Sequence, residues 1–178
     1  IKAYDEALKL DQNLFRAWEG KAFALYSLDR PVEAIIAYDS ALKINPDNAK
    51  TWIGKGFAQL KLSKHKKALE ACSKAISIKP DSADAWYCKG TALSGLEKNE
   101  EALGALERAL RIDPENSEAR KAINSVNSKL GIEIYEEEEE ALEEEKPKPK
   151  VRRSEWTRKK PVSEIIKESK NLKEKQNL

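Results

Sequence analysis

Tryptophan recurs at positions 18, 52 and 86, two successive intervals of 34 residues. A fixed interval of this size means that the chain stacks copies of one small unit, none of which can bury its apolar face alone. Other residues keep step. Four residues after each Trp come Ala22, Gly56 and Gly90, and six after come Ala24, Ala58 and Ala92. Ala34, Ala68 and Ala102 follow at sixteen, Ala41, Ala75 and Ala109 at twenty-three, and Pro46, Pro80 and Pro114 at twenty-eight.

Each interval reads as two helices. From Trp18 to Leu28 the apolar residues fall at helical spacing, and the segment stops at Asp29-Arg30-Pro31, where proline suits the first turn of a second helix. That helix runs to about Ile44. It ends at Asn45-Pro46, because proline cannot continue a helix and pushes the preceding residue out of helical geometry. The same ending returns at Ile78-Lys79-Pro80 and Ile112-Asp113-Pro114. Small residues fall where helices must approach closely, and Trp, Leu and Ile fill the space between. The expected fold class is all-α: a right-handed solenoid of helix-turn-helix repeats, a C-terminal capping helix and a charged tail.

The pattern of Trp, then Gly or Ala, then Ala, then Pro over 34 residues resembles the tetratricopeptide repeat (TPR) family. The variants Trp52-Lys55-Gly56 and Trp86-Lys89-Gly90 are similar to prokaryotic, especially archaeal, members. The resemblance covers residues 1 to about 115, with a cap to about 130. Its frame gives a half repeat over 1–14, repeats over 15–48, 49–82 and 83–116, and a cap helix over 117–130. In the half repeat Tyr4, Ala7 and Leu8 align with Tyr38, Ala41 and Leu42, and Gln12 replaces the proline. A missing first helix reads as a fragment and predicts an exposed apolar face on residues 3–9 that invites self-association. In the cap, Arg120 stands where Trp would be, and polar residues face outward, as terminal repeats require.

What the resemblance implies is a protein–protein interaction scaffold whose concave wall, lined by the first helix of each pair, holds a peptide or partner helix. Carried onto this chain, the wall positions lie one, five and eight residues after each Trp, on one helical face. They are Glu19, Phe23 and Tyr26, then Ile53, Phe57 and Leu60, then Tyr87, Thr91 and Ser94. Arg16 and Lys50 flank the groove two residues before their Trp, with Asp84 in the matching third place. Family members that take chaperone tails clamp a C-terminal carboxylate with Asn and Lys on this wall. Phe23 and Phe57 stand where Asn would be expected, and Glu19 where Lys would be. An apolar or amphipathic segment is therefore the expected cargo.

Beyond Gly131 the character changes. Residues 133–145 contribute nine Glu and no base, and 146–178 carry 12 basic side chains against 4 acidic. The expected divisions are an acidic segment over 131–145, a Pro/Lys-rich basic linker over 146–161, and a short amphipathic helix or disordered tail over 162–178. The tail has three open readings: a solvated segment, a segment that docks on protein (its own groove included), or a basic arm with Trp156 that associates with nucleic acid.

No stretch has the roughly 18 consecutive apolar residues of a membrane span. Cys72 and Cys88 are too few for a disulfide framework and fit no metal motif, so a reducing, cytoplasmic setting is expected. Cys72 reads as a core filler and Cys88 as partly exposed. His65, the single histidine, reads as a surface residue beside Lys64, Lys66 and Lys67. Neither thiol has a base at triad-like spacing, and no glycine loop cradles a phosphate. Gly20 and Gly54 have no packing role legible in the sequence. No metal, cofactor or catalytic residue is expected. The function read from the chain is that of a non-enzymatic adaptor; the rivals are a nucleic-acid-associated accessory protein acting through its tail, or the regulatory arm of an enzyme.

Overall fold

The computed structural model describes residues 1–131. Eight α-helices follow one another: α1 (Lys2–Leu10), α2 (Phe15–Ser27), α3 (Pro31–Ile44), α4 (Ala49–Lys61), α5 (His65–Ile78), α6 (Ala83–Gly95), α7 (Asn99–Ile112) and α8 (Ser117–Lys129). Among the described residues there is no strand, and no helix is long and apolar enough to cross a membrane. The expected acidic segment, basic linker and terminal helix lie outside the described residues.

The punctuation of the helices repeats with the sequence. Asp29, Ser63 and Glu97 each adopt a left-handed backbone, with φ of 57°, 54° and 62°. One residue later, the amides of Arg30, Lys64 and Lys98 reach back to the carbonyls of Leu25, Gln59 and Leu93 at 2.9, 2.9 and 3.0 Å. This is the reversal that satisfies the last carbonyls of a helix while turning the chain. The second helices end on extended residues, Asn45, Lys79 and Asp113, each just before a proline. Three first helices open on a side-chain cap: Asn48 accepts from the Thr51 amide, Ser82 from Ala85 and Asn116 from Ala119.

The three tryptophans do one job. Trp18 Nε1 donates to the Gln12 carbonyl at 2.9 Å, Trp52 to Pro46 at 2.7 Å and Trp86 to Pro80 at 2.8 Å. In the cap, Arg120 Nη2 donates to the Pro114 carbonyl at 2.8 Å. The guanidinium thus makes the bond that the indole makes elsewhere, without the indole's apolar bulk. Over each indole lies a lysine, Lys21, Lys55 or Lys89, with its ammonium 5.3, 5.0 and 5.1 Å from the ring centroid. Two of these ammoniums also pair with a carboxylate of the preceding second helix, Lys21 with Asp5 and Lys55 with Asp39, both at 2.6 Å.

The core is a seam of small residues with large ones set between them. Ala22, Ala34, Ala41, Ala58, Ala68, Ala75, Ala92, Ala102 and Ala109 are wholly inaccessible. Each helix packs on the next along the chain. The first helices of successive pairs also touch (α2 on α4, α4 on α6, α6 on α8), whereas α3, α5 and α7 make no contact with one another. Helices that are close on one side and separated on the other curve the array, and the first helices form its inner wall.

Candidate binding groove

The inner wall encloses a concavity of about 490 Å³ between α2 and α4. Eight of the twelve residues expected on the wall and its edge line it: Arg16, Glu19, Phe23 and Tyr26 from the first wall helix, Lys50, Ile53 and Phe57 from the second, and Asp84 from α6. Phe23 is 62% exposed, a large apolar ring left standing in solvent. Tyr26, Ile53 and Phe57 are half-buried around it. Arg16 and Lys50 are exposed, and Asp84, from α6, completes the rim.

Leu60, Tyr87, Thr91 and Ser94 are not part of this lining. Tyr87 packs its ring against Phe57, centroids 5.8 Å apart, so it braces the wall from the side. Burial raises the Tyr87 phenol above its ordinary value. Thr91 turns its hydroxyl to the Tyr87 carbonyl on its own helix, 3.0 Å away, and Leu60 is half-buried. The Thr51 hydroxyl lies 3.0 Å from both Glu19 Oε1 and Asn48 Oδ1, so the two acceptors share its one proton.

Tyr38 also lines the groove, although it belongs to α3 and was not expected there. It is only 3% exposed, and burial pushes its phenol up to about 12. Its route is Gly54: a Cβ on that glycine would stand 2.5 Å from Tyr38 Cζ and Oη. Gly20 leaves the same room for Tyr4. The two glycines without a visible role are therefore slots, each filled by a tyrosine sixteen residues earlier.

Two expectations outside the groove need correction. Cys88 is not partly exposed but fully buried, and it is joined to Cys72 in a disulfide, Cα to Cα 5.9 Å. His65 is not on the surface but half-buried. Its ring fills the space beside Gly95 that a Cβ would need, and its Nδ1 is buried with no hydrogen-bond partner. Among the described residues no group of three or more His, Cys, Asp or Glu side chains is placed to hold a metal ion.

An array of antiparallel helix pairs with an open apolar inner wall defines a helical-repeat scaffold. Tetratricopeptide repeat profiles match residues 1–49, 49–82 and 83–116, and the chain belongs to the tetratricopeptide repeat family. No curated protein matches it in sequence. Among solved structures it is similar to the TPR domain of Arabidopsis OM64, with 27% identity, TM-score 0.62, and 64% of this chain and 94% of that one covered. It is also similar to the first TPR domain of Spaghetti (RPAP3) bound to the HSP90 peptide SRMEEVD, with 25% identity, TM-score 0.63 and 66% and 93% covered. MamA from Desulfovibrio magneticus shares the fold, with TM-score 0.69 at 24% identity and 74% of both chains covered.

Proposed function

We propose that the chain is an adaptor that holds an apolar or amphipathic peptide or helix on its inner wall. The observation that carries this proposal is Phe23. A ring with most of its surface in water, on the concave side and beside Tyr26, Ile53 and Phe57, is an unfilled contact. Burying one such side chain contributes about 1.5–3 kcal/mol, so two or three anchors offset the ordering cost of a short peptide. Support from kinship is that a similar repeat domain, Spaghetti's first, binds a chaperone peptide in the solved complex.

The cargo proposed here differs from that acidic tail. The floor offers rings and Ile53 with Glu19 beside them, and Arg16, Lys50 and Asp84 stand exposed at the rim. An amphipathic helix meets this layout with an apolar stripe on the floor and mixed charges at its margins. No catalytic step belongs to the proposal. Selection of binders from a random peptide library against the full chain tests it. Apolar anchors at helical or alternating spacing are expected, with affinity lost in Phe23→Ala. Binders enriched in terminal carboxylates and indifferent to Phe23 would count against it.

A further inference from the structure

Each inter-repeat seam places a second-helix residue against the first-helix residue sixteen positions on. At the first two seams the partners are Tyr4 on Gly20 and Tyr38 on Gly54. At the third, between α5 and α6, the same places hold Cys72 and Cys88, both wholly inaccessible and bonded to each other. The bridge therefore ties two consecutive helix pairs together by a covalent link where the neighbouring seams use packing alone.

The bridge also touches the groove wall from behind. A Cβ on Gly56 of α4 would stand 2.7 Å from both sulfurs, so the α4 backbone closes over the bridge with no room to spare. The next residue on α4 is Phe57, and the residue before Cys88 on α6 is Tyr87. These are the two rings in contact at 5.8 Å. Two unbonded thiols need more room than a bonded pair. Extra room at this place comes from moving α4, α5 and α6 apart, and α4 carries Phe57 and α6 carries Tyr87.

We propose that Cys72 and Cys88 form a reversible redox staple that sets the spacing of Phe57 and Tyr87, and through it the inner wall. The coupling to cargo rests on the groove function proposed above; the staple itself does not. In the oxidising direction, one cysteine thiolate attacks an external disulfide of the low-molecular-weight thiol class and expels one thiol. The second cysteine thiolate displaces the other, so one external disulfide becomes two thiols as the Cys72–Cys88 bond forms. The two protons given up by the cysteines end on the two released thiols, so the exchange is proton-neutral overall. Because neither sulfur is accessible, exchange in either direction waits for the seam to open.

Hydrogen exchange on the full chain, followed by mass spectrometry, is the test, with thiols counted by alkylation after denaturation. The oxidised protein is expected to show no alkylated cysteine. On reduction, amides of α6 and the facing part of α4 are expected to exchange about tenfold faster or more, while α2 and α3 stay unchanged. Cys72→Ala/Cys88→Ala, which fits in less room than the bonded pair, is expected to keep the fold and ignore reductant. Two free thiols in protein prepared with an excess of an external disulfide, or exchange in α4 and α6 that is blind to reductant, would overturn the staple. Failure of Phe23→Ala to weaken peptide binding would sink the groove function and leave the exchange result standing.

Discussion

Tyr38 lies in a slot that exists because residue 54 has no side chain: a Cβ there would meet the phenol at 2.5 Å. Alanine at 54 gains about 1 kcal/mol of helix propensity and loses about 1–3 kcal/mol to overpacking, because Tyr38 is a rigid ring only 3% exposed. Gly54→Ala is therefore expected to lower stability. Gly20→Ala is expected to cost less, because Tyr4 is 37% exposed and can swing out. Gly104→Ala meets nothing within 4 Å and is expected to stabilise by about 0.5–1 kcal/mol. Urea unfolding of the three variants checks the order.

The left-handed residue between paired helices is Asp29, Ser63 or Glu97, never glycine. A left-handed backbone costs an L-residue with a side chain roughly 1–2 kcal/mol. Glu97→Gly is expected to recover about 1 kcal/mol or a little less, since glycine also gives the unfolded chain more freedom. Unchanged or lower stability in thermal melts would show that the Glu97 side chain contributes something its exposed position does not reveal.

Alkaline pH probes Tyr38 directly. Its folded pKa, about 12, lies above the value near 10 of an unfolded tyrosine, so the unfolded chain loses the proton first. The stability this burial contributes is complete below pH of about 10 and drains away as pH rises through about 12, at up to about 1.4 kcal/mol per unit. Tyr87, shifted the same way by burial, adds to the slope. Melting temperatures across this range are expected to fall, and Tyr38→Phe to fall less steeply.

The repeat frame was legible in the sequence because its markers are single residues with strong local meaning. A proline ends a helix wherever it stands, and an indole at a fixed interval needs a fixed partner. The wall set followed from the same frame, and Arg16, Glu19, Phe23, Tyr26, Lys50, Ile53 and Phe57 do share one concavity. What was missed depends on pairs. A glycine inside a helix carries no sign of what fills its slot, and Tyr38 lies on the neighbouring helix. The usable signal was the offset of sixteen, which joins Tyr4 to Gly20, Tyr38 to Gly54 and Cys72 to Cys88. Tyr87 and Thr91 lie outside that lining: the Tyr87 ring packs against Phe57, and the Thr91 hydroxyl bonds the Tyr87 carbonyl.

Phe57 touches Tyr87, so truncating it mixes folding with binding; Phe23, mostly in water, separates the two. The most direct measurement is calorimetric titration of a selected amphipathic peptide into the parent chain and Phe23→Ala, with urea stability alongside. Affinity is expected to fall by about 1.5–3 kcal/mol, roughly ten- to hundredfold, with stability changed by no more than about 0.5 kcal/mol. Equal affinities for the two proteins would contradict the assignment of the inner wall as the binding surface.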